Sequence, residues 1–132
     1  MALALALMSV PAHSAELEPE NEVSLRFTAE NEFVAPLAYR IMDTIVPFLR
    51  QHPVKGEWIV ILCPDEADKR TVIVDVHVWK ADGSLIGFQE YLRLKGKPKK
   101  AAEEAAKRLK EAIERKLEAP RCSSGRSSFF CG

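Results

Sequence analysis

Residues 72–94, VIVDVHVWKADGSLIGFQEYLRL, limit the fold more than any other part of the chain. Val72, Val74, Val76 and Val78 alternate with Ile73, Asp75, His77 and Trp79. Strict period-two alternation belongs to a strand with one face against a core. A turn at Ala81-Asp82-Gly83 leads into a second strand over 84–94. The register of this hairpin decides what each face carries. A two-residue loop would set Val78 opposite Gly87, Val76 opposite Gln89 and Asp75 opposite Glu90, a like-charge pair that weakens a sheet. A three-residue loop sets Val78 opposite Ile86, Val76 opposite Phe88 and Val72 opposite Leu92. Gly83 then supplies the left-handed residue such a loop needs. A slip of one residue exchanges the faces, so the apolar pattern selects the three-residue loop.

That register also defines the other face. Trp79 lies beside Leu85, His77 opposite Gly87, Asp75 opposite Gln89, Ile73 opposite Tyr91 and Thr71 opposite Arg93. The face is amphipathic rather than fully polar.

The remaining elements follow from pattern. Residues 36–50 carry Leu37, Ala38, Ile41, Ile45 and Leu49 at helical spacing, with Arg40, Asp43 and Arg50 off the stripe. Pro36 suits a first turn, and Pro47 predicts a kink or an end near Val46. Residues 57–62, EWIVIL, read as a strand stopped by Pro64. Residues 101–119 form a strong amphipathic helix along Ala102, Ala105, Ala106, Leu109, Ala112, Ile113 and Leu117, stopped by Pro120. The expectation is one α+β domain over 23–119. It is a three-stranded antiparallel meander sheet flanked by an N-terminal and a C-terminal helix on its valine face.

The ends read differently. Residues 1–15, MALALALMSVPAHSA, have the apolar run and small residues of a secretory signal peptide, although no Lys or Arg precedes Arg26. Residues 16–22 are an acidic, flexible leader. Residues 120–132 are a flexible tail in which Cys122 and Cys131 bracket a Gly/Ser-rich loop. In an exported protein these two cysteines are expected to pair. These features imply export.

Chemistry is sparse. Lys+Arg and Asp+Glu both number 19, which argues against a dedicated nucleic-acid binder. No run is long and apolar enough for a transmembrane helix. Asp75 and His77 point the same way, roughly 7 Å apart along their strand, but a third metal ligand is not evident. Cys63 sits in the apolar setting VILCP, where a thiol is inert. No GxSxG, P-loop or GxGxxG motif occurs. The basic stretch KGKPKK (Lys95, Lys97, Lys99, Lys100) suits a solvated loop before a helix. A non-enzymatic protein with no cofactor and no metal is expected. Exposed Trp and Tyr on an amphipathic face often mark an interface.

Several short features occur together: a leader, a helix with Tyr39-Arg40 (YRIMD), a WIVI strand, a hairpin with GFQEYL, and a final Ala/Glu/Lys helix. Over roughly residues 22–117 this resembles the periplasmic curli assembly and transport factor family, CsgE. The resemblance implies a small non-enzymatic protein that forms a homo-oligomeric ring. Such a ring caps the periplasmic mouth of the outer-membrane curli secretion channel and delivers amyloid subunits to it. The family carries a tryptophan near the end of its first helix. An ungapped match from Tyr39-Arg40 places Val46 there, with Phe48 close by, and the two-cysteine tail also departs from the family pattern. The protein-binding candidates are therefore Trp79, His77, Asp75, Tyr91 and Arg93 on the sheet, and Phe48 and Arg50 at the helix end. The alternative is a small monomeric periplasmic domain that binds a ligand or acts as an inhibitor.

Overall fold

The computed structural model describes residues 19–118. The proposed signal peptide and the Cys122–Cys131 loop lie outside the described residues. The elements are β1 (Glu22–Phe27), α1 (Val34–Arg40), a π-helical turn (Ile41–Ile45), α2 (Val46–Arg50), β2 (Gly56–Pro64), β3 (Thr71–Lys80), β4 (Leu85–Arg93) and α3 (Pro98–Glu118). The sheet has four strands in the order β1-β2-β3-β4. β1 runs parallel to β2, whereas β2–β3 and β3–β4 are antiparallel.

The three-stranded antiparallel meander expected from the sequence is therefore wrong: the sheet is four-stranded and mixed, with one parallel pair. The fourth strand is EVSLRF, in which Val23, Leu25 and Phe27 alternate with Ser24 and Arg26. The alternation is present but spans only six residues, next to an acidic stretch. Its parallel partner lies across a helical crossover, where no local pattern points to it. The acidic segment before β1 also enters the fold at its end. Asn21 is buried, and its Nδ2 donates to the carbonyls of Leu49 (2.8 Å), His52 (3.2 Å) and Val54 (3.2 Å). Its Oδ1 accepts from the Gly56 N–H at 3.1 Å. One side chain thus ties the start of β1 to the end of α2 and the start of β2.

Asn31 prepares the first helix: its Oδ1 accepts from the N–H groups of Phe33 (2.8 Å) and Val34 (3.0 Å), donors otherwise orphaned at a helix start. The kink expected at Pro47 takes a specific form. Proline lacks the N–H that would reach Asp43 and crowds that carbonyl. The turn before it widens to π, with the Val46 N–H reaching back to the Ile41 carbonyl. The helix then continues to Arg50 instead of ending. Leu37, Ala38, Ile41, Ile45 and Leu49 are all buried.

The hairpin has the three-residue-loop register throughout, from Thr71 opposite Arg93 to Trp79 opposite Leu85. Gly83 has φ +89°, its N–H donates to the Lys80 carbonyl (2.9 Å), and the Lys80 N–H donates to the Ser84 carbonyl (2.8 Å). Asp82 Oδ1 accepts from Ser84 Oγ at 2.6 Å and fixes the tip. Val72, Val74, Val76 and Val78 are buried with Trp58, Val60 and Leu62 of β2 against Leu109 and Ile113 of α3 and the stripe of α1. Both helical segments cover that one face.

Candidate functional site

The site is built from the register. The strand pairings carry a row of side chains across all four strands on the face opposite the valines. Glu22, Glu57, Trp79 and Leu85 form one row. Ser24, Ile59, His77 and Gly87 form the next, then Arg26, Ile61, Asp75 and Gln89. Cys63, Ile73 and Tyr91 follow, and Thr71 beside Arg93 closes the face. No described helix or loop lies over it. Trp79 is 46 % exposed, Leu85 46 % and Tyr91 63 %. Ile59, Ile61, Cys63 and Ile73 are half-buried by their neighbours in the sheet.

Each residue has a local reason for its place. A Cβ at Gly87 would fall 2.8 Å from His77 Nδ1, so the imidazole lies across the strand where β4 has no side chain. A shallow hollow of about 500 Å³ results, lined by Asp75, His77, Leu85, Gly87, Phe88 and Gln89. At the far end Arg93 Nη1 reaches Asp68 Oδ2 at 2.7 Å, and Thr71 Oγ1 donates to the same oxygen at 2.9 Å. Hydrogen bonds from Thr71 and the Arg70 N–H, with the charges of Arg93 and Arg70, hold the Asp68 carboxyl below its ordinary value of 3.8. Asp68 therefore stays ionised and fixes the Arg93 guanidinium at the rim.

Five of the seven candidate residues meet on this face: Asp75, His77, Trp79, Tyr91 and Arg93. Phe48 and Arg50 do not join them. Phe48 sits in the helical layer, edge-on to His52 at 5.4 Å with Lys110 Nζ 4.9 Å above its ring. Arg50 is exposed beside the start of β1, where its carbonyl accepts from the Asn21 N–H. Ile59, Ile61 and Arg26 complete the face, although the sequence reading had not placed them there. The alternation of EWIVIL and EVSLRF held the signal; the strand pairing supplied the phase.

Asp75 and His77 share the face with neighbours that are not ligands. Among the described residues no group of three or more His, Cys, Asp and Glu could hold a metal ion. A second depression, about 430 Å³, lies between α1 and α3, lined by Pro36, Tyr39, Arg40, Asp43, Lys99 and Glu103 among others. Arg40 spans it, 3.7 Å from Glu103 and 4.0 Å from Asp43. Among the described residues no helix is long and apolar enough to cross a membrane.

No family model matches the chain, and no curated protein matches it in sequence. Among solved structures, the N-terminal domain of Thermus thermophilus Protein Y is similar at 17 % identity. The match covers 72 % of this chain and 97 % of that one with a TM-score of 0.32, too low to bear on fold or function.

Proposed function

We propose that this protein is a non-enzymatic periplasmic assembly adaptor that binds partner polypeptide across the open face of its sheet. By its resemblance to the curli transport factor family, the partners are an outer-membrane curli-type secretion channel and the amyloid subunits it exports. Several copies would act together at the channel mouth. The observation that supports the reading is the open face itself. It carries Trp79, Tyr91, Leu85 and three isoleucines at positions where a sheet that only faces water would carry polar residues. Aromatic side chains of this kind give large contact area at small entropic cost. The Glu22–Glu57 pair adds negative charge at one corner, and the Arg93–Asp68 ion pair marks the opposite one.

The test is binding of the purified mature protein to a detergent-solubilised curli-type channel and to its amyloid subunit. Trp79→Ala and Tyr91→Ala are expected to weaken binding by about 30-fold, the effect of losing a ~2 kcal/mol interface anchor. Melting temperature should stay unchanged. A wild-type protein that binds neither partner, or variants that bind as well as wild type, would sink the proposal.

A further inference from the structure

The outer edge of β4 is unpaired among the described residues, and we infer that it is the seam of a twofold dimer formed with a second copy of this chain. The ladder fixes which backbone groups are free. Lys80 N–H donates to the Ser84 carbonyl and Leu94 N–H to the Arg70 carbonyl, so the even-numbered residues of this strand bond inward. Leu85, Gly87, Gln89, Tyr91 and Arg93 then aim their N–H and C=O groups outward. The Arg93 carbonyl agrees, since it accepts from Arg108 Nη2 of α3 at 2.8 Å and not from β3. The edge is nine residues long, holds no proline, and carries one acid and one base. Natural edges are normally blunted by proline, bulges or several charges.

An antiparallel β4–β4 pair that keeps the valine faces on one side must match odd residues with odd ones. Centring it on Gln89 sets Ile86 against Leu92, Gly87 against Tyr91 and Phe88 against Glu90 of the partner subunit. Tyr91 of the partner subunit then lies beside Gly87, next to the His77 imidazole that crosses there. Glu90 of the partner subunit arrives beside Lys116, whose Nζ stands 5.5 Å over the Phe88 ring. Centring on Glu90 would oppose that acid to itself, and centring on Phe88 would oppose Ile86 to Glu90. The Gln89 register therefore satisfies the apolar, glycine and charge positions together, with about six new backbone hydrogen bonds. The result is a continuous eight-stranded sheet that presents two open faces side by side. It uses the edge and not the open face, so it stands independently of the adaptor reading.

Sedimentation equilibrium of the full chain is expected to show a monomer–dimer equilibrium. Gln89→Pro removes only an outward N–H, which an edge strand tolerates, and should raise the dimer dissociation constant by at least about tenfold. Gln89→Lys places like charges at the twofold axis and should act in the same direction. In a background with Cys63→Ser, Cys122→Ser and Cys131→Ser, Gln89→Cys should give a disulfide-linked dimer on oxidation, because only this position meets itself. Glu90→Cys and Tyr91→Cys should not. A protein that stays monomeric to about millimolar concentration overturns the inference; so does a dimer indifferent to both Gln89 substitutions, or one cross-linked through position 90 or 91.

Discussion

Trp58 and Trp79 sit on adjacent strands, one residue row apart, and meet opposite fates. Trp58, opposite Val78, is fully buried, and its Nε1 donates to the Val54 carbonyl at 3.2 Å. Trp79, opposite Glu57, is 46 % exposed on the other face. The two faces differ along β2 and β3: valines with Trp58 line one, whereas Glu57, Asp75 and His77 interrupt Ile59, Ile61 and Ile73 on the other. The pattern marks the valine face for the core, and the connections return there. The crossover from β1 to β2 and the helix after β4 both land on the valine face, and no described element is left for the other.

The comparison breaks most easily at Trp58. Trp58→Ala should lower the free energy of unfolding by about 3–5 kcal/mol in urea titration, the cost of a large cavity in a packed core. A loss below ~1 kcal/mol would mean that the valine face is not the core. Asn21→Ala is expected to cost about 2–3 kcal/mol, because the carbonyls of Leu49, His52 and Val54 and the Gly56 N–H lose their shared partner inside the fold. If unfolding is unchanged, β1 is not held by this residue.

On the open face the same chemistry should cost little. Trp79→Ala and Tyr91→Ala are expected to change stability by no more than about 0.5 kcal/mol. Melting well below wild type for either variant would show that this face is buried within the protein itself. The smallest effect belongs to the rim. Asp68 has a lowered pKa in the fold, so its contribution to stability is present above its unfolded value and is lost as pH falls through the lower folded one. Unfolding midpoints measured from about pH 5 to pH 2 should fall less steeply in Asp68→Asn than in wild type, with the difference growing as pH falls through 3.8. Parallel curves would show that Thr71 and Arg93 do not favour the ionised acid.

What the sequence determined by itself is local. Valine alternation and the loop Ala81-Asp82-Gly83 set the β3–β4 register, residue by residue, because a slip of one position would turn every valine to water. The helical stripes and the disturbance at Pro47 were legible for the same reason: each depends on residues within a few positions. Tertiary structure alone decided the parallel pairing of β1 with β2 and the burial of Asn21. Asn21 meets its partners 28 to 35 residues away, and the β1 ladder closes across a whole helical crossover. Such contacts form only when separate elements pack, so no stretch of chain carries their signature.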